Sequence, residues 1–184
     1  MTLGTPGVPS GLPVNVVARG ILNSNNLAQS IQIIGKHQLA CAFNYMISTN
    51  DGEVVSVEVV LDDYDVLYPD DGICVHSNHY LSQRLLQNHP DTMRRYCSST
   101  HLRYGRTRKL LKNTNHPLTT DDFARVFSDH ADHPESICWH PDPAITTPYA
   151  QLTTVCSVIM DTTDGVMLAT QGNPCSNPYQ QFLI

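Results

Sequence analysis

Residues 41–60 read CAFNYMISTNDGEVVSVEVV, and this stretch decides what kind of sheet the chain can form. Its two flanks, Cys41 to Ile47 and Glu53 to Val60, are rich in the β-branched and aromatic residues that favour strands. Between them, Asn50-Asp51-Gly52 is typical of a tight turn, because these residue types accept the positive φ that a hairpin needs. The stretch therefore predicts two antiparallel strands joined by a hairpin.

Outward from the hairpin, the sequence predicts further strands and helices. Two more strands, Tyr64 to Tyr68 and Ile73 to His76, would extend the pair into a four-stranded meander. Residues 4–13 are rich in Gly and Pro and are expected to be loop. Apolar spacing, caps and turn residues predict the remaining elements. The helices cover residues 16–21, 27–34, 99–111 and 120–127, and the later strands cover 153–160, 166–171 and 179–184.

The order of these elements indicates the fold class. Helices, four strands, helices and three strands predict an α+β domain whose sheets are mostly antiparallel and covered by helices. We expect residues 1–184 to form a single domain, because ~100–200 residues is an ordinary domain length. The strand from Val155 to Met160 is apolar on both faces, so we expect it to lie between two layers.

Composition and charge narrow the possible functions. A net charge of -6 disfavours general nucleic-acid binding. The chain has neither a run of about 20 apolar residues for a membrane helix nor the pattern of a signal peptide, so we expect a cytoplasmic protein with no nucleic-acid and no membrane partner. Seven of the 11 Lys and Arg residues lie in 92–120, where no acidic residue occurs. This basic stretch is expected to be a solvated helix face, with a site for an anionic substrate group or partner as the alternative.

The segment Cys74-Val75-His76-Ser77-Asn78-His79-Tyr80 is the strongest candidate for chemistry. It places an amide side chain between two histidines at the end of a predicted strand. The Asn78 amide can donate a hydrogen bond to an oxyanion, which suits negative charge that develops only in a transition state. Asparagine also caps turns, so the spacing alone leaves a turn-capping role open.

No metal site and no cofactor are predicted. Three closely spaced pairs offer ligands of the zinc type: His76 and His79, His130 and His133, and Cys138 and His140. None matches a strong zinc signature, and nine histidines produce such pairs by chance. The six cysteines include no Cys-x-x-Cys pair, and several lie in apolar strands, so they are expected to be reduced structural thiols.

Two further residues have a candidate role and an ordinary alternative. Ser136 is the serine with the best context for catalysis, but no G-x-S-x-G elbow surrounds it, and it is expected to cap or position a loop. Glu58 interrupts an apolar strand. A buried glutamate needs a partner, so Glu58 is expected either to be paired or, as the favoured option, to lie on the solvent face.

Five ordered segments resemble one enzyme family over almost the whole chain. They are Gly7-Val8-Pro9-Ser10, Ser56-Val57-Glu58-Val59, Val75-His76-Ser77-Asn78-His79, Pro134-Glu135-Ser136-Ile137-Cys138 and Thr153-Thr154-Val155-Cys156-Ser157-Val158-Ile159-Met160-Asp161. The family is that of the acyl-coenzyme A:6-aminopenicillanic acid acyltransferases, also called isopenicillin N acyltransferases or peptidase family C45, of the N-terminal nucleophile hydrolase superfamily. The most specific element is His-Ser-Asn-His, which is close to the family's His-Thr-Asn-His.

The resemblance implies a four-layer αββα sandwich and a precursor that cleaves itself to free an N-terminal cysteine. The thiol of that cysteine attacks an amide or thioester, and its own α-amino group serves as the base. The family's oxyanion-hole asparagine corresponds to Asn78. The residues expected to support it or to bind substrate are His76, Ser77, His79, Glu58 and Ser136.

In the family, the nucleophile precedes the region that this chain resembles. None of the six cysteines of this chain is expected to replace that nucleophile. We therefore expect this chain to be the C-terminal portion of a family member, with an incomplete sandwich. Alone it would be inactive, and an upstream segment or chain that bears the nucleophile would complete it. Its substrate would be a small-molecule amide or acyl thioester. The alternative is a non-catalytic binding or assembly domain that forms homo-oligomers to cover open sheet edges. A zinc-binding domain is the most distant option.

Overall fold

The computed structural model describes residues 10–144 and 151–184. The chain divides into two compact units, which we call unit 1 (residues 1–100) and unit 2 (residues 101–184). Residues 4–9 of the predicted N-terminal loop, which include most of the Gly7-Val8-Pro9-Ser10 segment, lie outside the described residues. The single domain stays a prediction, whereas the α+β class is confirmed by two antiparallel sheets with helices.

Unit 1 contains a three-stranded antiparallel sheet in the order β1-β2-β3. Its strands are β1 (Phe43–Ser48), β2 (Val54–Val59) and β3 (Tyr64–Leu67). The predicted hairpin is confirmed: β1 pairs with β2, and Gly52 in the turn has a φ of 90°, which glycine adopts at low cost.

The fourth strand predicted for Ile73 to His76 is wrong. Only an isolated bridge between Asp70 and Ile73 forms there, and residues 74–77 have no regular structure. The physical reason is that this segment is held by side chains instead of a strand ladder. His76, for example, reaches the carboxylate of Glu58 in β2.

Two predicted helices are confirmed and cover the unit 1 sheet. They are α1 (Val14–Leu22) and α2 (Leu27–Gly35), and Asn26 caps α2 by accepting a hydrogen bond from the Gln29 N–H. The core places Val17 of α1 and Ile34 of α2 against Val57 of β2. Two short helices, α3 (Gln83–Asn88) and α4 (Met93–Tyr96), were not predicted, because six and four residues are too few to establish a helical period.

The other predicted helices and strands of the chain are also present. Helix α5 (Ser99–Lys112) matches the predicted range, and α6 (Thr120–Phe127) begins with a capping box formed by Thr119 and Asp122. Unit 2 has a second antiparallel sheet in the order β4-β5-β6. Its strands are β4 (Cys156–Asp161), β5 (Val166–Gln171) and β6 (Gln180–Leu183).

Strand β4 differs from its prediction in two ways. It begins at Cys156 instead of Thr153, and its side chains alternate between exposed and buried positions. The expectation that both faces are buried is wrong for β4, because Val158 and Met160 remain 39% and 57% exposed. Within the described residues, no helix is both long and apolar enough to cross a membrane. The cytoplasmic location stays a prediction.

Candidate functional site

Glu58 is the centre of a polar network inside unit 1. Its side chain is fully buried, and both carboxylate oxygens accept backbone hydrogen bonds. The N–H of Leu81 donates to Oε1 at 2.6 Å, and the N–H of Ser82 donates to Oε2 at 2.9 Å. The favoured prediction of a solvent-facing Glu58 is wrong, because residues 55–59 of β2 are buried on both faces. The other option, a buried and paired glutamate, is confirmed.

His76 joins this carboxylate to the loop that follows it. Its Nε2 lies 2.6 Å from Oε1 of Glu58, its Nδ1 lies 2.7 Å from the carbonyl oxygen of Ser77, and its side chain is 1% exposed. A carbonyl oxygen only accepts hydrogen bonds, and a carboxylate that already binds two N–H groups is an acceptor as well. Both ring nitrogens therefore have an oxygen partner within hydrogen-bonding distance, and Glu58 and His76 form a buried, hydrogen-bonded pair.

Thr100 holds the same loop from its other side. Its hydroxyl Oγ1 accepts a hydrogen bond from the backbone N–H of Asn78 at 2.7 Å. The same oxygen lies 2.8 Å from Oγ of Ser77 and 3.0 Å from Nδ1 of His79. Thr100, Ser77 and His79 are all buried. One hydroxyl therefore fixes three consecutive residues.

Five of the six predicted site residues belong to this unit 1 network, which consists of Glu58, His76, Ser77, Asn78, His79 and Thr100. Asn78 is half-buried between its two buried neighbours. Thr100 was not predicted, because it lies 22 residues after Asn78 in sequence and no motif marks it. The catalytic and supporting roles of these residues stay predictions.

Ser136, the sixth predicted residue, lies in unit 2. Its side chain is fully buried, and its Oγ donates a hydrogen bond to the carbonyl oxygen of Cys138 at 2.6 Å. The prediction that Ser136 positions a loop is confirmed by this contact. Its role in substrate binding stays a prediction.

Two arginines of the basic stretch make contacts with other side chains of unit 2. Arg106 forms a two-pronged pair with Asp129, with Nη2 at 2.7 Å and Nε at 3.1 Å from Oδ2. The hydrogen bonds from Arg106 hold the pKa of Asp129 below its usual value. The guanidinium of Arg103 lies 5.3 Å from the centre of the Trp139 ring. These contacts favour a structural role over an anion site for both arginines.

Four side chains of unit 2 converge on one point. We call them the unit 2 cluster: His130, Cys138, His140 and Cys175, whose nitrogen and sulfur atoms all lie within 4.8 Å of one another. Burial raises the pKa of the Cys138 thiol, and burial together with His130 and His133 lowers the pKa of His140. These four groups are of the type that holds a metal ion. The sequence did not predict this grouping, because Cys175 lies 35 residues after His140.

The fold and the unit 1 network together define an α+β protein with a buried Glu–His pair behind a half-buried asparagine. A family model described as acyl-coenzyme A:6-aminopenicillanic acid acyl-transferase matches residues 3–174. The chain belongs to this family, and family membership indicates an acyltransferase-like or hydrolase-like function. A search of curated proteins finds no match to the chain.

Proposed function

We propose that this chain forms the oxyanion side of an N-terminal nucleophile amide hydrolase or acyltransferase, with Asn78 as the donor to the oxyanion. The observation that carries the proposal is the unit 1 network. Glu58 and His76 hold the start of the loop, and Thr100 holds the backbone N–H of Asn78 itself. An oxyanion donor must be fixed in place before charge develops, because only then does it stabilise the transition state without reorganisation.

The proposed reaction begins with attack of a cysteine thiolate on the carbonyl carbon of a small-molecule amide or acyl thioester. The thiol proton passes to the α-amino group of that cysteine. The carbonyl oxygen becomes an oxyanion and accepts a hydrogen bond from the side chain of Asn78. Collapse of the intermediate expels the amine or thiol, which takes the proton from the α-ammonium group. Water or a second amine then attacks the acyl group on sulfur and gives up a proton through the same α-amino group, which restores the cysteine thiol.

We propose that the nucleophile comes from a segment outside these 184 residues. Cys41 illustrates why, because it lies between α2 and β1, so that cleavage before it would detach both α1 and α2 from the chain. Those helices contribute Val17 and Ile34 to the core. Cys97 is buried, so its sulfur is not accessible to a substrate. Burial raises the pKa of the Cys74 thiol, which disfavours the thiolate that a nucleophile needs.

The test is to express the reading frame together with the DNA upstream of it in the source and to follow cleavage and acyl transfer. We expect a free N-terminal cysteine and a covalent acyl adduct on it. Asn78→Ala should lower kcat by about 10²–10³-fold, as loss of one oxyanion donor does. Asn88→Ala is the matched control, because Asn88 is exposed at the end of α3. An Asn78→Ala enzyme as active as this control would overturn the role of Asn78.

A second candidate function is a non-catalytic assembly domain, and the sheet of unit 2 favours it. Met160, Met167 and Phe182 lie opposite one another across β4, β5 and β6, so they share one face. Met160 and Phe182 are 57% and 45% exposed. An exposed apolar face of this kind is typical of an interaction surface.

Sedimentation equilibrium measures the mass of the protein in solution and so tests whether the chain forms the homo-oligomer that an assembly function requires. We expect a homo-oligomer that Met160→Lys dissociates, whereas Leu22→Lys, at a residue 73% exposed on α1, should leave the mass unchanged. A monomer at every protein concentration would exclude this candidate.

A further inference from the structure

We propose that the unit 2 cluster is a zinc site in which His130, Cys138, His140 and Cys175 bind one Zn²⁺ in tetrahedral geometry. The site is separate from the unit 1 network, and the proposal does not depend on the proposed acyl chemistry. It rests on distances, on hydrogen bonds around the sulfur atoms and on the chemistry of the four ligands.

Four of the six distances between ligand atoms are close to the edges of a zinc tetrahedron. With Zn–S near 2.3 Å and Zn–N near 2.0–2.1 Å, the ligand atoms of such a site lie about 3.8 Å apart for two sulfurs, about 3.6 Å for sulfur and nitrogen and about 3.4 Å for two nitrogens. The Sγ atoms of Cys138 and Cys175 are 3.7 Å apart. Nε2 of His140 lies 3.5 Å from Sγ of Cys138, 3.3 Å from Sγ of Cys175 and 3.1 Å from Nε2 of His130.

Neither a disulfide nor hydrogen bonding accounts for the geometry of the unit 2 cluster as well as a metal ion does. A disulfide between Cys138 and Cys175 requires a separation of about 2.05 Å, much shorter than the observed 3.7 Å. A hydrogen bond joins two of the four atoms through one proton, but it does not explain why all four meet within 4.8 Å. A single cation at the centre attracts all four lone pairs at once.

The side chain of Asn173 holds one of the two sulfur ligands in place. Nδ2 of Asn173 donates to Sγ of Cys138 at 3.5 Å and to the carbonyl oxygen of Trp139 at 2.8 Å. A donor of this kind orients the ligand, as the surrounding shell of a metal site does.

The loop after α6, which carries three of the ligands, is fixed by its own contacts. The N–H of Cys138 donates to the carbonyl oxygen of Asp129 at 3.0 Å, and Ser136 binds the Cys138 carbonyl. Cys175 follows β5 in a separate part of unit 2. A bound ion would therefore tie the loop after α6 to the turn between β5 and β6.

The ligand set indicates both the metal and its role. Two thiolates and two imidazoles in a tetrahedron favour Zn²⁺ over Mg²⁺ and Ca²⁺, which prefer oxygen. Four protein ligands complete the coordination sphere and leave no position for water or substrate. The site is therefore structural, and zinc binding should release the protons of both thiols.

The test is a zinc titration of the metal-free chain in competition with a chromophoric chelator, repeated with Co²⁺ to read the geometry from its absorption. Trp139 is the one tryptophan of the chain and lies between two ligands in sequence, so its fluorescence provides a second signal. We expect one equivalent of metal, a tetrahedral Co²⁺ spectrum and sulfur-to-cobalt charge transfer. Asn173→Ala should weaken zinc binding about 10- to 100-fold.

Matched exposed residues make the mutational test specific. Cys175→Ser and His130→Gln should weaken zinc binding more than Asn173→Ala does. Cys156→Ser and His116→Gln, which also change exposed residues of unit 2, should leave zinc affinity within about twofold of the unmodified chain, as expected for changes outside a metal site. Because all four residues are exposed, these variants spare the core.

Two results would overturn the proposal. The first is a chain that takes up neither Zn²⁺ nor Co²⁺ at stoichiometric concentration. The second is equal zinc binding by Cys175→Ser and Cys156→Ser, which would identify an adventitious ion only.

Discussion

The unit 1 network and the unit 2 cluster both gather polar side chains that are distant in sequence, but they are completed in different ways. In unit 1, the Glu58 carboxylate meets three N–H donors, and His76 finds an acceptor at each ring nitrogen. Donors and acceptors are matched within the fold. In unit 2, two sulfurs and two ring nitrogens face one another, and three distances of 3.1–3.5 Å meet at Nε2 of His140.

This difference separates a network in which protein donors and acceptors are matched from one that we propose to be completed by a bound cation. A buried carboxylate with matched donors positions the loop around Asn78 without any added group. The thiols and imidazoles of the unit 2 cluster have S–H and N–H donors of their own, but each hydrogen bond joins only two of them, whereas one cation at the centre binds all four, which is why we assign them to zinc.

The largest effect on stability is expected at Glu58, and it tests whether the unit 1 network is held together by its own hydrogen bonds. Glu58→Ala removes one partner of a buried pair and leaves His76 and two backbone N–H groups without their acceptor, so it should destabilise unit 1 by about 3–5 kcal/mol. Hydrogen exchange of the β1 and β2 amides measures this locally. Glu53→Ala, at an exposed residue before β2, is the control and should change stability by less than about 0.5 kcal/mol. Equal effects of the two variants would contradict the buried pair.

A smaller effect is expected at Thr100, the residue that fixes Asn78. Thr100→Val keeps the shape of the side chain but leaves the Asn78 N–H without its acceptor, which should cost about 1–3 kcal/mol. The amide resonance of Asn78 should shift, and its hydrogen exchange should accelerate. Ser98→Ala removes a hydroxyl at an exposed position nearby and should do neither. An unchanged Asn78 resonance in Thr100→Val would break the link between Thr100 and the candidate site.

The smallest effect concerns a part of unit 2 outside the cluster. Hydrogen bonds from the Thr119 side chain and N–H lower the pKa of Asp122 from 3.8 to about 2, with help from Arg125. Because the pKa is lower in the folded chain, this carboxylate stabilises unit 2 above about pH 4, and the contribution is lost as the pH falls towards 2. Thermal unfolding curves of the unmodified chain and of Asp122→Asn should therefore differ near neutral pH and converge in acid. A difference in unfolding temperature between the two chains that stays the same from neutral to acid pH would contradict this role of Asp122.

Local patterns were sufficient for most of the fold. The turn at Asn50-Asp51-Gly52, the cap at Asn26 and the capping box at Thr119 depend on residues that are close in sequence, and each marked its element correctly. The strand expected at Ile73 to His76 failed because a long-range contact, from His76 to Glu58, replaced strand pairing. Apolar content alone does not reveal such a competitor.

The candidate site was predicted only in part, for the same reason. The His-Ser-Asn-His segment was found because its residues are adjacent and resemble a family motif. Thr100 and Cys175 were missed, because each contributes one atom to a site whose other members lie more than 20 residues away. Only the folded chain brings those atoms together.

Native mass spectrometry of the unmodified chain, Thr100→Val and Cys175→Ser tests the contrast between the two regions most directly. We predict one zinc ion on the unmodified chain and on Thr100→Val, with a mass that shows the loss of two protons, and none on Cys175→Ser. Zinc retained by Cys175→Ser, or absent from all three, would contradict the account.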